Sequence, residues 1–272
     1  MKKSYLIMGT ILTITIALAG CASSNSTSSN TSETKADKTT LLGQIKGAGK
    51  IRIGTEGTYS PFTFHDSTGK LTGFDIDIAE AVAKKLGVKT EFVETKWDGI
   101  IAGLDAKRFD IIANEVGISS QRQAKYDFSD PYILSKPVLI VQKDNTLITK
   151  FEDLKGKKSA QSLTSNLGKI ATSYGAQLVS VDGFNQSIDL ITSKRADATV
   201  NDSLSFLDLK KQKPNIAVKV VAEGKNSDKN AIMLNKGNKE LLDAVNKALS
   251  DIKTDGNYLK ISQKWFGADV SK

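Results

Sequence analysis

Three patterns of apolar and polar residues succeed one another along the chain. Apolar residues run almost unbroken from Tyr5 to Ala19 behind Lys2 and Lys3, and residues 22–40 are almost wholly Ser, Thr, Asn, Ala and charged residues. From Lys50 onward, short β-like runs alternate with helical ones. Ile51-Arg52-Ile53-Gly54-Thr55 reads as a strand, and Ile78, Val82 and Leu86, four apart and stopped at Gly87, mark a helix that begins near Asp75. Thr90 to Thr95 predicts the next strand, Ile100, Ile101 and Leu104 the next helix, and Ile111-Ile112-Ala113 a short apolar strand before a polar turn. Strand, helix, strand in this order predicts a parallel sheet covered by helices.

After Pro131 the pattern restarts. Strands are expected at Pro137 to Val141, Lys158 to Gln161, Gln177 to Val181 and Ala198 to Asn201, with helices between the later ones. Past Ala231-Ile232-Met233-Leu234 the chain turns helical, with Leu242, Val245, Leu249 and Ile252 on one face and a last helix from Asn257 to Trp265. The expected division is one lobe of residues 41–135 with 236–272 and a second of 141–232. Crossings near Ser135 to Val141 and near Met233 to Lys236 would form the hinge.

An internal repeat supports two lobes. Lys107-Arg108-Phe109-Asp110-Ile111-Ile112-Ala113-Asn114-Glu115 and Lys194-Arg195-Ala196-Asp197-Ala198-Thr199-Val200-Asn201-Asp202 share Lys-Arg-x-Asp, three mostly apolar residues, Asn and an acid. Chance recurrence of common residues is the competing explanation. A true repeat puts Asn114-Glu115 and Asn201-Asp202 at the carboxyl ends of equivalent strands, where open α/β sheets bind ligands, and two such ends facing each other make a cleft.

The apolar run up to Ala19 is too short and too poorly flanked to span a membrane and stay, so residues 1–20 read as an export signal. Leu18-Ala19-Gly20-Cys21, with the chain's only cysteine, resembles the lipobox of bacterial lipoproteins. That resemblance implies cleavage before Cys21, a lipid on its thiol and an extracytoplasmic, membrane-anchored protein; an ordinary secretory signal with a chance cysteine is the alternative. Residues 21–40 then form a flexible tether. The folded part has no cysteine, hence no disulfide and no thiol chemistry.

The formal charge is +8, two units of it from Lys2 and Lys3 in the leader. Lysines lie beside acids along most of the chain, without the basic stripe and stacking aromatics of a nucleic-acid binder, so no nucleic-acid partner is expected. His65, the only histidine, sits in the turn-like Phe64-His65-Asp66-Ser67. No cluster has metal-ligand spacing, and Gly54 to Gly57 lacks the pattern of a phosphate loop, so neither metal nor cofactor is expected.

A family resemblance rests on Gly54-Thr55-Glu56-Gly57-Thr58-Tyr59-Ser60-Pro61-Phe62, Leu71-Thr72-Gly73-Phe74-Asp75, Arg108-Phe109-Asp110 through Gln121-Arg122, Phe128-Ser129-Asp130-Pro131-Tyr132 and Lys264-Trp265-Phe266-Gly267. Together these resemble the polar amino-acid branch of the bacterial extracellular solute-binding proteins (family 3), which serve ABC importers. The resemblance implies an α/β, two-lobed periplasmic-binding-protein-like fold of type II, two three-layer lobes joined by a two-crossing hinge. It also implies a monomer whose partners are a small amino acid and a membrane permease. Glu94-Thr95-Lys96-Trp97-Asp98, Gly183-Phe184-Asn185-Gln186-Ser187 and Asn201-Asp202-Ser203 look like the cystine-binding members, although Glu115 stands where a Gln is expected.

A free amino acid brings a carboxylate and an ammonium, and a site that dries it must pair both. The resemblance gives Arg122 the carboxylate, assisted by Thr164, Ser165, Asn166 and local backbone N–H groups of the other lobe, and it adds Asn114 and Gly117 to the ligand-binding residues. By composition alone Arg122 is a surface arginine. Asp202 is the candidate for the ammonium, and the helix N-cap of Ser203 onward is its other reading. Tyr59 and Trp97 are candidate aromatic walls or else core residues. Glu56 and Glu115 would meet a second positive group, which cystine, lysine and arginine all carry, or are simply solvated acids. A basic or other polar amino acid is thus the alternative ligand. A cleft enzyme such as a dehydratase, with Glu115 or Asp202 moving a proton, is the alternative of a different class.

Overall fold

The computed structural model describes residues 39–272. The expected export signal, Cys21 and nearly all of the expected tether lie outside the described residues. Helix α1 (Leu41–Ala48), N-capped by the Thr40 hydroxyl, leads into β1 (Lys50–Thr55) and a small antiparallel sheet of β2 (Thr58–Tyr59), β3 (Thr63–His65) and β4 (Leu71–Thr72). Then follow α2 (Phe74–Leu86), β5 (Lys89–Glu94), α3 (Trp97–Asp105), β6 (Ile111–Gly117), α4 (Ser120–Gln123), β7 (Tyr126–Phe128) and β8 (Ile133–Ser135). The second lobe holds β9 (Pro137–Gln142), β10 (Lys158–Gln161), α5 (Asn166–Ser173), β11 (Gln177–Ser180), α6 (Phe184–Thr192), β12 (Ala198–Asp202), α7 (Ser203–Gln212) and β13 (Val218–Glu223). The chain returns through β14 (Asp228–Asn235) to α8 (Lys239–Thr254) and α9 (Asn257–Phe266).

Each lobe is a sheet between helical layers. The first sheet runs β5-β1-β6-β14-β7, with β8 also on β14, and the second runs β11-β10-β12-β9-β13. The period of two along a strand feeds both faces. On β6, Ile111 and Ala113 join Ile78, Val82 and Val245 from α2 and α8, whereas Ile112 joins Trp97, Ile100 and Leu104 from α3. On β9, Val138 and Ile140 pack with Ile188 and Ile191 of α6, and Leu139 and Val141 with Phe151 and Leu154. Helix α2 starts at Gly73, where φ is 139° and a Cβ would stand 2.1 Å from the Phe62 carbonyl oxygen, so only glycine fits.

Two expectations need correction. The parallel order holds for β5, β1 and β6 and for β11, β10 and β12, but β14 and β9 run antiparallel to their neighbours. These are the strands that carry the chain between lobes, and they enter from the hinge side. The lobe limits also move. β8 ends at Ser135 and β9 begins at Pro137, so lobe 2 starts before residue 141, and Asp228 onward pairs with β6, β7 and β8, so residues 228–232 belong to lobe 1. The second crossing is therefore residues 224–227, not Met233 to Lys236. An apolar run such as Ala231 to Leu234 does not say which sheet it enters.

The repeat is a repeat of structure. Lys107 and Lys194 both have positive φ, 56° and 59°. Asp110 accepts from the Arg52 N–H of β1 at 2.8 Å and returns its own N–H to Arg52 O at 2.9 Å, and Asp197 makes the same two bonds with Lys158 of β10 at 2.8 and 2.9 Å. In each lobe this clamp starts the third strand beside the first.

Candidate ligand-binding cleft

The carboxyl ends of β1 and β6 face those of β10 and β12 across a cavity of about 50 Å³, or about 490 Å³ when all space between the atoms and the open solvent at its mouth is included. Glu56, Tyr59, Trp97, Asn114 and Glu115 line it from lobe 1, and Gln161, Ser165, Asn166, Phe184 and Asn201 are among its walls from lobe 2. Gly117, Arg122, Thr164 and Asp202 do not line it and are joined to it through neighbours.

Asn114 fixes the β1 edge. Its Oδ1 accepts from the Glu56 N–H at 2.7 Å and its Nδ2 donates to Glu56 Oε2 at 2.7 Å. Burial nevertheless lifts the Glu56 carboxyl to about 7. Arg122 lies on α4, whose N-cap is Ser119, and is only 5 % exposed. Its Nη1 donates to Gly117 O at 2.9 Å, its Nη2 to Thr164 O of lobe 2 at 3.4 Å, and its guanidinium lies 5.3 Å from the Trp97 ring centre. Among the described residues no carboxylate pairs with it directly. Burial draws its pKa down while the charge of Glu115 opposes that. Trp97 Nε1 is buried and has no hydrogen-bond partner among the described residues.

The repeat makes Glu115 and Asp202 equivalent, and the facing lobes bring their carboxyls near each other, with both pKa values raised first by burial and that of Glu115 raised also by the charge of Asp202. The Glu115 backbone is left-handed, φ 48°, with the N–H on Asp75 Oδ2 at 2.6 Å and the carboxyl accepting from Asn230 Nδ2 at 3.0 Å. Asp202 is buried and accepts the Leu204 N–H at 2.8 Å as N-cap of α7, so the capping reading is realised, and its side chain stands outside the cavity lining. Tyr59 is half-buried between the lobes and donates to Asn201 Oδ1 at 3.2 Å.

Other bonds join the lobes around this cavity. Ser60 Oγ donates to Asp208 Oδ2 at 2.7 Å, and Ser205 Oγ to Ser60 O at 3.1 Å. Sequence reasoning missed Gln161, Ser162 and Leu167 as wall residues, whereas Asn201, expected at a strand end facing the cleft, does line it. Gln161 ends strand β10, so the carboxyl-end rule applied to every parallel strand would have found it. His65 is not a cavity residue; its Nε2 is 3.2 Å from Glu94 at the surface. Among the described residues no group of three or more His, Cys, Asp or Glu is placed to hold a metal ion.

Two lobes of this topology joined over a cavity lined by two carboxyls, side-chain amides and aromatic rings define a receptor that encloses a small solute. The chain belongs to the bacterial extracellular solute-binding proteins, family 3, whose pattern matches residues 51–268, and the fold is the type II two-lobed one. The family is one of extracellular proteins, so the working place of this domain is outside the cytoplasm. The L-cystine-binding protein TcyA of Bacillus subtilis is 46% identical over 273 residues, covering 100% of both chains. The L-cystine solute receptor of Neisseria gonorrhoeae, in its unliganded open conformation, is 49% identical over 86% of this chain and 99% of its own, with a TM-score of 0.58. An ancestral arginine-binding protein bound to arginine is 43% identical, covers 80% of this chain and 99% of its own, and scores 0.76. The better superposition on the ligand-bound structure, at lower identity, agrees with lobes that are joined here.

Proposed function

We propose that the protein is the substrate-binding component of an amino-acid ABC importer and closes over one L-amino acid, cystine in the first place. The observation that carries this is the charge pattern of the cleft. A buried guanidinium without a carboxylate stands near two buried carboxylates without a cation, which is the complement of a zwitterion. Arg122 would grip the ligand carboxylate with Thr164, Ser165 and Asn166 assisting, and Asp202 would take the ammonium. Glu56 and Glu115 would serve the second ammonium of cystine, with Tyr59 and Trp97 as walls. The names of the two cystine-binding relatives support this ligand, and the arginine-bound structure supports a basic amino acid as the second reading.

Ligand bridging both lobes favours the closed form, which the permease would recognise. A lipid on Cys21 would keep the domain at the membrane. No catalytic step is proposed, since the similar proteins are transport receptors. A thermal-shift screen against L-amino acids, cystine, and cystine with reductant tests the reading. Ligand at about a hundred times its Kd adds about 2.7 kcal/mol, roughly 5 to 10 °C for a domain of this size. A cystine shift abolished by reductant is expected. A shift with arginine or lysine alone would replace cystine, and a ligand consumed on prolonged incubation would replace the receptor by an enzyme.

A further inference from the structure

We infer that Asp98 is a positioning residue that holds the lobe 2 wall of the cleft from lobe 1 and so sets how long the closed protein keeps its ligand. Asp98 stands in the first turn of α3 beside Trp97 and does not itself line the cavity. Its Oδ1 accepts from the Thr164 N–H at 2.9 Å and from Thr164 Oγ1 at 2.8 Å, and its Oδ2 from the Leu163 N–H at 3.3 Å. These donors belong to the segment between β10 and α5 that supplies Ser162 and Ser165 to the wall. The same segment is held again by Arg122, whose Nη2 donates to Thr164 O, and Ser165 Oγ then caps α5 by accepting the Gly168 N–H at 2.9 Å. Thr164 is thus gripped by an acid of lobe 1 at its donors and a base of lobe 1 at its acceptor. Opening the lobes must break the bonds that Asp98 and Arg122 make to this segment.

The inference about ligand retention rests on the proposal that ligand is enclosed between the lobes; the clasp itself is present without ligand. Bonds to a carboxylate are about twice as strong as neutral ones, but Asp98 and Thr164 are exposed and water competes, so the whole clasp is expected to slow opening about five- to tenfold. The test uses purified full-length protein, wild type and D98A, D98N and T164V. Amide hydrogen exchange without ligand should quicken at Leu163 and Thr164 in D98A by about fivefold or more, less in T164V, which loses one of three donors. L-Cystine should leave D98A about five- to tenfold faster by stopped flow, with association changed less than about twofold. Unchanged exchange at Leu163 and Thr164 in folded D98A overturns the clasp, and faster exchange with unchanged dissociation overturns its role in retention. If wild type does not hold L-cystine, the ligand assignment falls and amide exchange alone decides the clasp. D98N, of equal size, serves if D98A fails to fold.

Discussion

Replacing Glu56 by Gln should stabilise the ligand-free protein near neutral pH and leave it unchanged in acid. Glu56 is 9 % exposed, and burial lifts its carboxyl from 4.5 to about 7. A raised acid pKa means that the folded chain keeps its proton to higher pH than the unfolded chain. Below 4.5 both are protonated and the group contributes nothing; between 4.5 and about 7 the unfolded chain ionises alone and stability falls as pH rises; above about 7 the full penalty stands. That penalty is about 3 kcal/mol, at about 1.4 kcal/mol for each tenfold change in proton affinity. Gln carries no charge, and its amide oxygen can still accept from Asn114 Nδ2. Its NH2 group, however, replaces an acceptor beside the Trp97 backbone N–H, so E56Q should recover about 1 to 3 kcal/mol, roughly 3 to 10 °C. The assay is thermal unfolding of both proteins without ligand from about pH 4 to about pH 8. Asp75, Glu115 and Asp202 titrate in both proteins, so the difference between the two curves isolates Glu56. A difference that is flat across this range, or that favours wild type more at the alkaline end, would refute the reasoning.

R122A should weaken ligand binding by about a hundredfold or more in equilibrium titration, because it leaves a ligand carboxylate buried and unpaired; near-native affinity would remove Arg122 from the site. G73A should cost about 2 kcal/mol or more in denaturant unfolding, since its Cβ meets the Phe62 carbonyl at 2.1 Å and its φ is 139°, and a wild-type midpoint would contradict that geometry. C21S should leave the protein in the soluble fraction or uncleaved, and a C21S protein still carrying a lipid would disprove the anchor.

Much of the fold was legible in periodicity. The strands at β1, β5, β9, β10, β11 and β12 and the helices α2, α3, α8 and α9 fall within a few residues of their expected places, because each carries apolar residues at the period of its own structure. The two- and three-residue strands β2, β3, β4, β7 and β8 were not legible; such segments hold too few residues for any period to show, and their pairing partners alone make them strands. Helix α1 is eight residues long and was also missed. The α8 face shifted slightly, with Leu241 fully buried and Leu242 only partly so.

For the cleft, local order placed Asn114-Glu115 and Asn201-Asp202 at strand ends, because the Lys-Arg-x-Asp turn that precedes each is encoded within nine residues. The amino-acid sequence by itself therefore determined the two-lobed fold and the strand ends that meet at the cavity, with Glu56 and Glu115 on its wall. What only the tertiary structure decided is the meeting of groups far apart in the chain: the Glu115 and Asp202 carboxylates pressed together with raised pKa values, Arg122 buried against Trp97 and Thr164, and Asp98 clasping Leu163 and Thr164. The side of the hinge to which β14 belongs was decided there as well. The reason is physical. A side chain's desolvation and its partners depend on what the other lobe brings to it, and neither is a property of its neighbours in sequence.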